Sequence, residues 1–175
     1  MKIVLDPGHG GSDPGAVGPG GLKESEVNLA VSEMLGSLLA AASISNILTR
    51  ESETAISLGA RTECANDWGA NYFVSIHCNS DGPDAKGVET LYKTERGKEL
   101  ATPVQKALVK ATGDVDRGLK HRTNLYVLNG TLMPAILVEI GFISHPQTEV
   151  KLVDTDYQLL VAKAIGEGIL NYLAL

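Results

Sequence analysis

The chain has 175 residues, enough for one domain with a real core and too few for two ordinary ones. At 43% hydrophobic and 21% charged residues it is neither a disordered chain, a collagen nor a coiled coil. Lys and Arg number 15 against 21 Asp and Glu, a net charge of -6, which argues against non-specific nucleic-acid binding and unaided attachment to an anionic surface.

In chain order, Ile3-Val4-Leu5 predicts a strand, ended by Asp6-Pro7-Gly8. Residues 25–42 carry Val27, Val31, Met34, Leu35 and Leu38 at helical spacing, with Ser25 as a candidate cap. A strand over 44–48 and a helix over 56–69 follow, then a strand over 72–76 and another over 88–92. The next segments read as a helix over 98–111, strands over 125–128 and 135–138, and a helix over 156–172. This alternation requires crossover connections, and the strands are apolar on both faces. The expected fold is therefore one α/β domain over residues 1–175, a mostly parallel twisted sheet with helices on both faces. No stretch approaches the length of a membrane span, and the N-terminus meets Asp6 and Pro7 too early for a signal peptide. Cys64 and Cys78 cannot make a disulfide framework and read as small buried hydrophobes or a single bridge.

Ligands in such folds bind beyond the carboxyl ends of the strands. There the first strand offers His9, the third His77 and then Asn79, and the last Glu139. Two imidazoles and a carboxylate are a standard ligand set for a catalytic zinc. Hydrolysis also needs a second acid off the metal to move protons. The first loop and helix offer Asp6, Asp13, Glu24 and Glu26. Glu24 stands near the exit of the first strand, whereas Asp6 and Asp13, beside Pro and Gly, read as turn holders, with an alternative role for Asp13 in orienting a ligand histidine. The glycines over 8–21 lack a phosphate-loop ending and suit a long loop that needs positive φ and close approach. Arg50 and Arg61 read as anchors for carboxylates. His121, in Lys120-His121-Arg122, and His145 read as surface residues rather than ligands. That basic patch reads as a solvated turn in preference to a contact with anionic groups.

The segment Ile3-Val4-Leu5-Asp6-Pro7-Gly8-His9-Gly10-Gly11, with Asp13-Pro14-Gly15-Ala16 after it, resembles the opening signature of the zinc-dependent N-acetylmuramoyl-L-alanine amidases of bacterial autolysins and phage endolysins. Gly21-Leu22-Lys23-Glu24, Leu48-Thr49-Arg50, Val74-Ser75-Ile76-His77-Cys78-Asn79, Asp116-Arg117-Gly118-Leu119, Tyr126-Val127-Leu128 and Pro134 through Ser144 are similar to the family's later segments, in order. The resemblance implies one zinc ion held by His9, Glu24 and His77, with Glu139 as general base and acid, Glu24 being preferred to Glu26. It implies peptidoglycan as substrate, glycan and stem peptide together, at the bacterial cell wall, whether extracellular, periplasmic or reached by a phage enzyme from the cytoplasm. The bond cut is the amide between N-acetylmuramic acid and L-alanine, attacked by a zinc-activated water. Asn79 is a candidate substrate contact.

Cys78, Asn129 and His145 depart from the family pattern, Asn129 standing where many relatives have arginine. Cys78, next to His77 in a strand, should face away from it. A peptidase reading lacks a His-Glu-x-x-His motif, and a weak or inactive wall-binding domain should have lost one of the four residues. An acidic chain should depend on a separate wall-binding module for tight attachment to polyanionic walls. Monomer is the default state.

Overall fold

The computed structural model describes residues 1–174; Leu175, the last residue of the expected domain, lies outside them. The chain runs β1 (Lys2–Pro7), α1 (Glu24–Ala41), β2 (Ser45–Leu48), α2 (Leu58–Asp67), β3 (Tyr72–Asn79), β4 (Val88–Tyr92), α3 (Glu95–Thr112), β5 (Asp116–His121), α4 (Tyr126–Gly130), β6 (Ala135–Phe142), α5 (Pro146–Val153) and α6 (Thr155–Leu173). The six strands form one sheet in the order β2-β1-β3-β6-β4-β5. All pairings are parallel except β4 with β6. The reversal follows from the short 80–87 link between β3 and β4, which holds no helix to carry a parallel crossover.

Alternation along the strands divides the core in two. Ile3, Leu5, Val74, Ile76, Val138 and Ile140 face α1, α3, α5 and α6 in the larger cluster. Gly168 lets α6 come close to α3, for a Cβ there would lie 2.4 Å from Val104 Cα. Val4, Phe73, Leu91 and Leu137 face the other way, against Ala65 of α2 and Val127 and Leu128 of α4. No described helix is long and apolar enough to cross a membrane.

Four expectations change. Residues 125–128 are not a strand: 126–130 form the short helix α4, which closes the smaller cluster. Their apolar run is too short for periodicity to distinguish strand from helix. Strand β5 and helix α5 were not foreseen, β5 because DRGLKH is charged and glycine-interrupted, as sheet edges often are. Ser25 does not cap α1, which begins one residue earlier after Lys23; the Ser25 hydroxyl instead donates to Glu53.

Candidate metal centre

At the carboxyl end of β1 the chain turns sharply. His9 has φ +62°, a left-handed conformation uncommon outside glycine, and Gly10 and Gly11 continue it at +127° and +62°. Two buried arginines hold this bend. Arg61 donates to Asp6 Oδ1 at 2.8 Å and to the carbonyls of Pro7 and His9, both at 2.6 Å. Arg50 donates to the carbonyls of Pro7, Gly8 and Ser25 and pairs with Glu53. Both arginines therefore anchor carboxylates, as expected, and main-chain carbonyls as well. Asp6 does not hold a turn: it is buried inside β1, where it also accepts from Thr49 and Ser75. Asp13 does both things considered for it. Its Oδ1 accepts from the Gly15 amide, and its Oδ2 lies 2.8 Å from His9 Nδ1. That contact leaves His9 Nε2 to face inward.

Glu24 opens α1 and is buried. Its Oε2 accepts from the Ala16 amide, while Oε1 accepts from the Cys78 amide at 3.0 Å. The same Oε1 lies 3.3 Å from His9 Nε2 and 2.9 Å from His77 Nδ1. One ligand atom from each of His9, Glu24 and His77 lies within 4.8 Å of the others, so this trio could hold a metal ion. The backbone around it leaves no room for side chains. A Cβ on Gly8 would lie 2.3 Å from the His77 ring, and one on Gly15 would meet Glu24 Oε2 at 2.6 Å and the His9 ring at 2.7 Å. The cradle and its donors, two imidazoles and a carboxylate, fit zinc.

Without a metal the trio is tied together by its own charges. The hydrogen bond that His9 donates to Glu24 raises His9 to about 9 against the effect of burial, with Asp13 adding to the rise. Burial pushes Glu24 up, but hydrogen bonds from His77 and His9 outweigh it and hold the carboxyl well below the usual range. Glu26, the other acid considered, is exposed and pairs with Lys23. Cys78 lies on the opposite face from His77, its Sγ 3.7 Å from Asn28 Oδ1 in the larger cluster.

Glu139 stands on β6 directly beside His77 and, on its other side, beside Glu89 of β4. Its Oε2 is buried with no hydrogen-bond partner among the described residues. Burial, with repulsion from Glu24 and Glu89 and opposition from His77, pushes the carboxyl up to about 7. Asn79 does not point at the trio: its Nδ2 donates to Glu89 Oε1, and its Oδ1 accepts from the Ser80 amide. His121 is exposed, 3.0 Å from the Lys93 carbonyl, and His145 stands at the start of α5, so neither joins the trio. Asn129 donates to the Thr123 carbonyl. A cleft of about 440 Å³ opens over His9 and His77, with exposed Leu58 and Tyr126 among its lining residues.

One residue that sequence reasoning missed supports the site from behind. Glu149 of α5 accepts from the Gly20 amide through both oxygens, at 2.9 and 2.7 Å, and from the Leu22 amide at 3.1 Å. It thereby fixes the loop that leads into Glu24. The sequence signal was the Gly18-Pro19-Gly20-Gly21 run itself, whose amides need an acceptor from elsewhere.

The fold and the trio define an α/β domain with a candidate metal centre at the carboxyl edge of its sheet. A family model described as N-acetylmuramoyl-L-alanine amidase matches residues 3–171, and the chain belongs to that family. It is 37% identical to the sporulation-specific N-acetylmuramoyl-L-alanine amidase of Bacillus subtilis, over 97% of this chain and 67% of that protein. Among solved structures it resembles the N-acetylmuramoyl-L-alanine amidase AmiC2 of Nostoc punctiforme, with 36% identity, a TM-score of 0.96, and 100% and 98% of the two chains covered. The catalytic domain of CwlV, an N-acetylmuramoyl-L-alanine amidase from Bacillus (Paenibacillus) polymyxa, gives 38% identity and a TM-score of 0.95 over 99% and 98%.

Proposed function

We propose that this domain hydrolyses the amide between the lactyl group of N-acetylmuramic acid and L-alanine of the stem peptide, with zinc held by His9, Glu24 and His77. Zinc, when bound, polarises the amide carbonyl and brings the pKa of water towards neutrality. His9, Glu24 and His77 would each offer one ligand atom, and Asp13 fixes which His9 nitrogen faces inward. Glu139 takes a proton from the attacking water as the carbon–oxygen bond forms, then gives it to the alanine nitrogen as the carbon–nitrogen bond breaks. The products are the lactyl carboxylate and a peptide with a free L-alanine amine.

The observation that carries this reading is Glu139 itself: a part-buried carboxyl beside His77 whose Oε2 is buried and unpaired. A carboxyl that only stabilised the fold would have its hydrogen bonds satisfied. A raised proton affinity suits a group that must both accept and return a proton near neutral pH. Peptidoglycan places the reaction at the bacterial cell wall.

The test is a digest of purified peptidoglycan by zinc-loaded protein, read by mass spectrometry, with Glu139→Ala alongside. Free stem peptides beginning at L-alanine, lost in the variant and after chelation, are the expected result. Cleavage within the glycan or within the peptide would overturn the proposed bond.

A further inference from the structure

One row of side chains crosses the site face of the sheet. His77, Glu139 and Glu89 stand side by side on β3, β6 and β4, and Arg117 of β5 completes the row. Glu89 is buried and fully engaged: one oxygen accepts from Asn79 Nδ2 at 3.1 Å, the other from Arg117 Nε at 3.0 Å. The Arg117 guanidinium also lies over the Phe142 ring, 4.7 Å from its centroid.

Two contacts thus fix the plane of this guanidinium and consume only its Nε donor. Neither Nη has a hydrogen-bond partner among the described residues, and the side chain is 39% exposed. An arginine needed only to neutralise Glu89 would gain more from a two-pronged contact. Instead the Nη edge, with its parallel N–H groups, is turned to solvent in a fixed orientation. Lys120 lies further along the same strand, paired with Leu91 of the smaller cluster and so on the same face, part-exposed and without an ion pair among the described residues. Two cations therefore stand on the site face of an acidic chain.

We propose that Arg117, assisted by Lys120, is a subsite for a free carboxylate on the stem peptide and so determines which peptides are cut. This rests on the amidase reading above. Neighbouring strands lie about 4.8 Å apart, which puts Arg117 about 10 Å from Glu139, two strands away. An extended peptide advances about 3.3 Å per residue, so the carboxylate belongs to about the third residue from the scissile amide. A fixed guanidinium edge binds a carboxylate in two parallel hydrogen bonds and has nothing to offer a carboxamide's NH₂. The basic segment around His121 thus serves the site through Lys120, while His121 turns away to the Lys93 carbonyl.

The experiment uses two soluble N-acetylmuramoyl peptides that differ only at the third residue, which carries either a free carboxylate or its amide. Zinc-loaded wild type, Arg117→Gln and the double variant Glu89→Gln/Arg117→Gln are compared by kcat and KM. The double variant removes both members of the pair and leaves no buried charge alone. The wild type should show a KM about 10-fold lower for the carboxylate substrate, as a charge-assisted contact predicts. In both variants that difference should vanish through a higher KM for the carboxylate substrate, while any change in kcat is shared by the two substrates. Equal KM values in the wild type would overturn the subsite while leaving the amidase intact, as would discrimination that survives in both variants. If the wild type cuts neither substrate, the amidase reading itself falls, and the subsite with it.

Discussion

The two faces of the sheet are built on opposite principles. The face under α1, α3, α5 and α6 is closed: Ile3, Leu5, Val74, Ile76, Val138 and Ile140 are aliphatic and bury their whole side chains there. The other face begins the same way, with Val4, Phe73 and Leu137, but its helices α2 and α4 are short. Towards the carboxyl ends of β1, β3 and β6 its apolar residues give way to Asp6, Ser75, His77 and Glu139, which Glu89 joins from the amino end of the antiparallel β4. A core packed throughout would have no place for these groups, since buried polar atoms cost free energy unless paired. The molecule meets that requirement on one side of the site and relaxes it on the other. Arg50, Arg61 and Asp13 satisfy the groups around His9, whereas Glu139 keeps an unpaired oxygen. One face supplies stability, and the other keeps polar groups available at a cost in stability.

Glu139→Gln breaks the comparison most sharply. It should lower kcat by about 10²–10⁴-fold, the usual contribution of a general acid–base group. Because it removes an ionisable group with a buried, unpaired oxygen, the urea midpoint should stay the same or rise. A variant that lost activity and stability together would mean that Glu139 holds the fold.

Leu100→Ala, on the closed face, should do the reverse. Leu100 is fully buried in the larger cluster, and its truncation should cost about 2–5 kcal/mol in urea unfolding. The kcat per folded molecule should not change, because Leu100 belongs to α3, which carries none of the site residues.

Asp13→Asn sharpens the picture on the open face. The substitution keeps the size of the side chain but weakens its hold on His9 Nδ1. Metal affinity should fall about 10–100-fold, as it does when the residue that orients a ligand histidine is lost. Competition against a chelator measures it, and an unchanged affinity would make Asp13 a turn residue alone.

The last effect is a pH dependence. In the metal-free protein Glu24 raises His9 to about 9 from its ordinary 6.5. A raised folded-state value stabilises the fold fully below pH 6.5, and that contribution disappears as pH climbs through about 9. A metal must displace the same proton. Its apparent affinity should therefore rise up to about 10-fold per pH unit from 6.5 to 9 and then level off. Affinity that was flat over this window would show that His9 is neutral before metal arrives.

Much of the site could be read from strand ends. His9, His77 and Glu139 each follow an apolar run, and the parallel fold expected from the alternation puts those ends on one edge. Glu24 was harder, because its place depends on how the 10–23 loop folds back. Spacing left several acids open, and the family resemblance singled one out. Tertiary structure brings Glu24 beside His9 and His77 through Arg50, which ties Gly8 to Ser25, and through Glu149, which is 125 residues from Glu24 and holds Gly20 and Leu22 in place.

What the sequence determined by itself was periodicity: which segments are apolar on both faces, which are amphipathic, and where glycine and proline interrupt them. That fixes the main strands, the long helices and the chemistry available at their ends. Only the tertiary structure decided the direction of β4, the existence of the edge strand β5, and the helical form of residues 126–130. None of these has a strong local preference. Each is settled by neighbours distant in sequence, since a charged hexapeptide becomes a strand only where β4 offers it a ladder, and a short apolar run coils only where the cluster around Phe73 and Leu137 leaves room for a helix. The Glu89–Arg117 pair belongs to the same class, for nothing in either segment shows that the two strands will lie side by side.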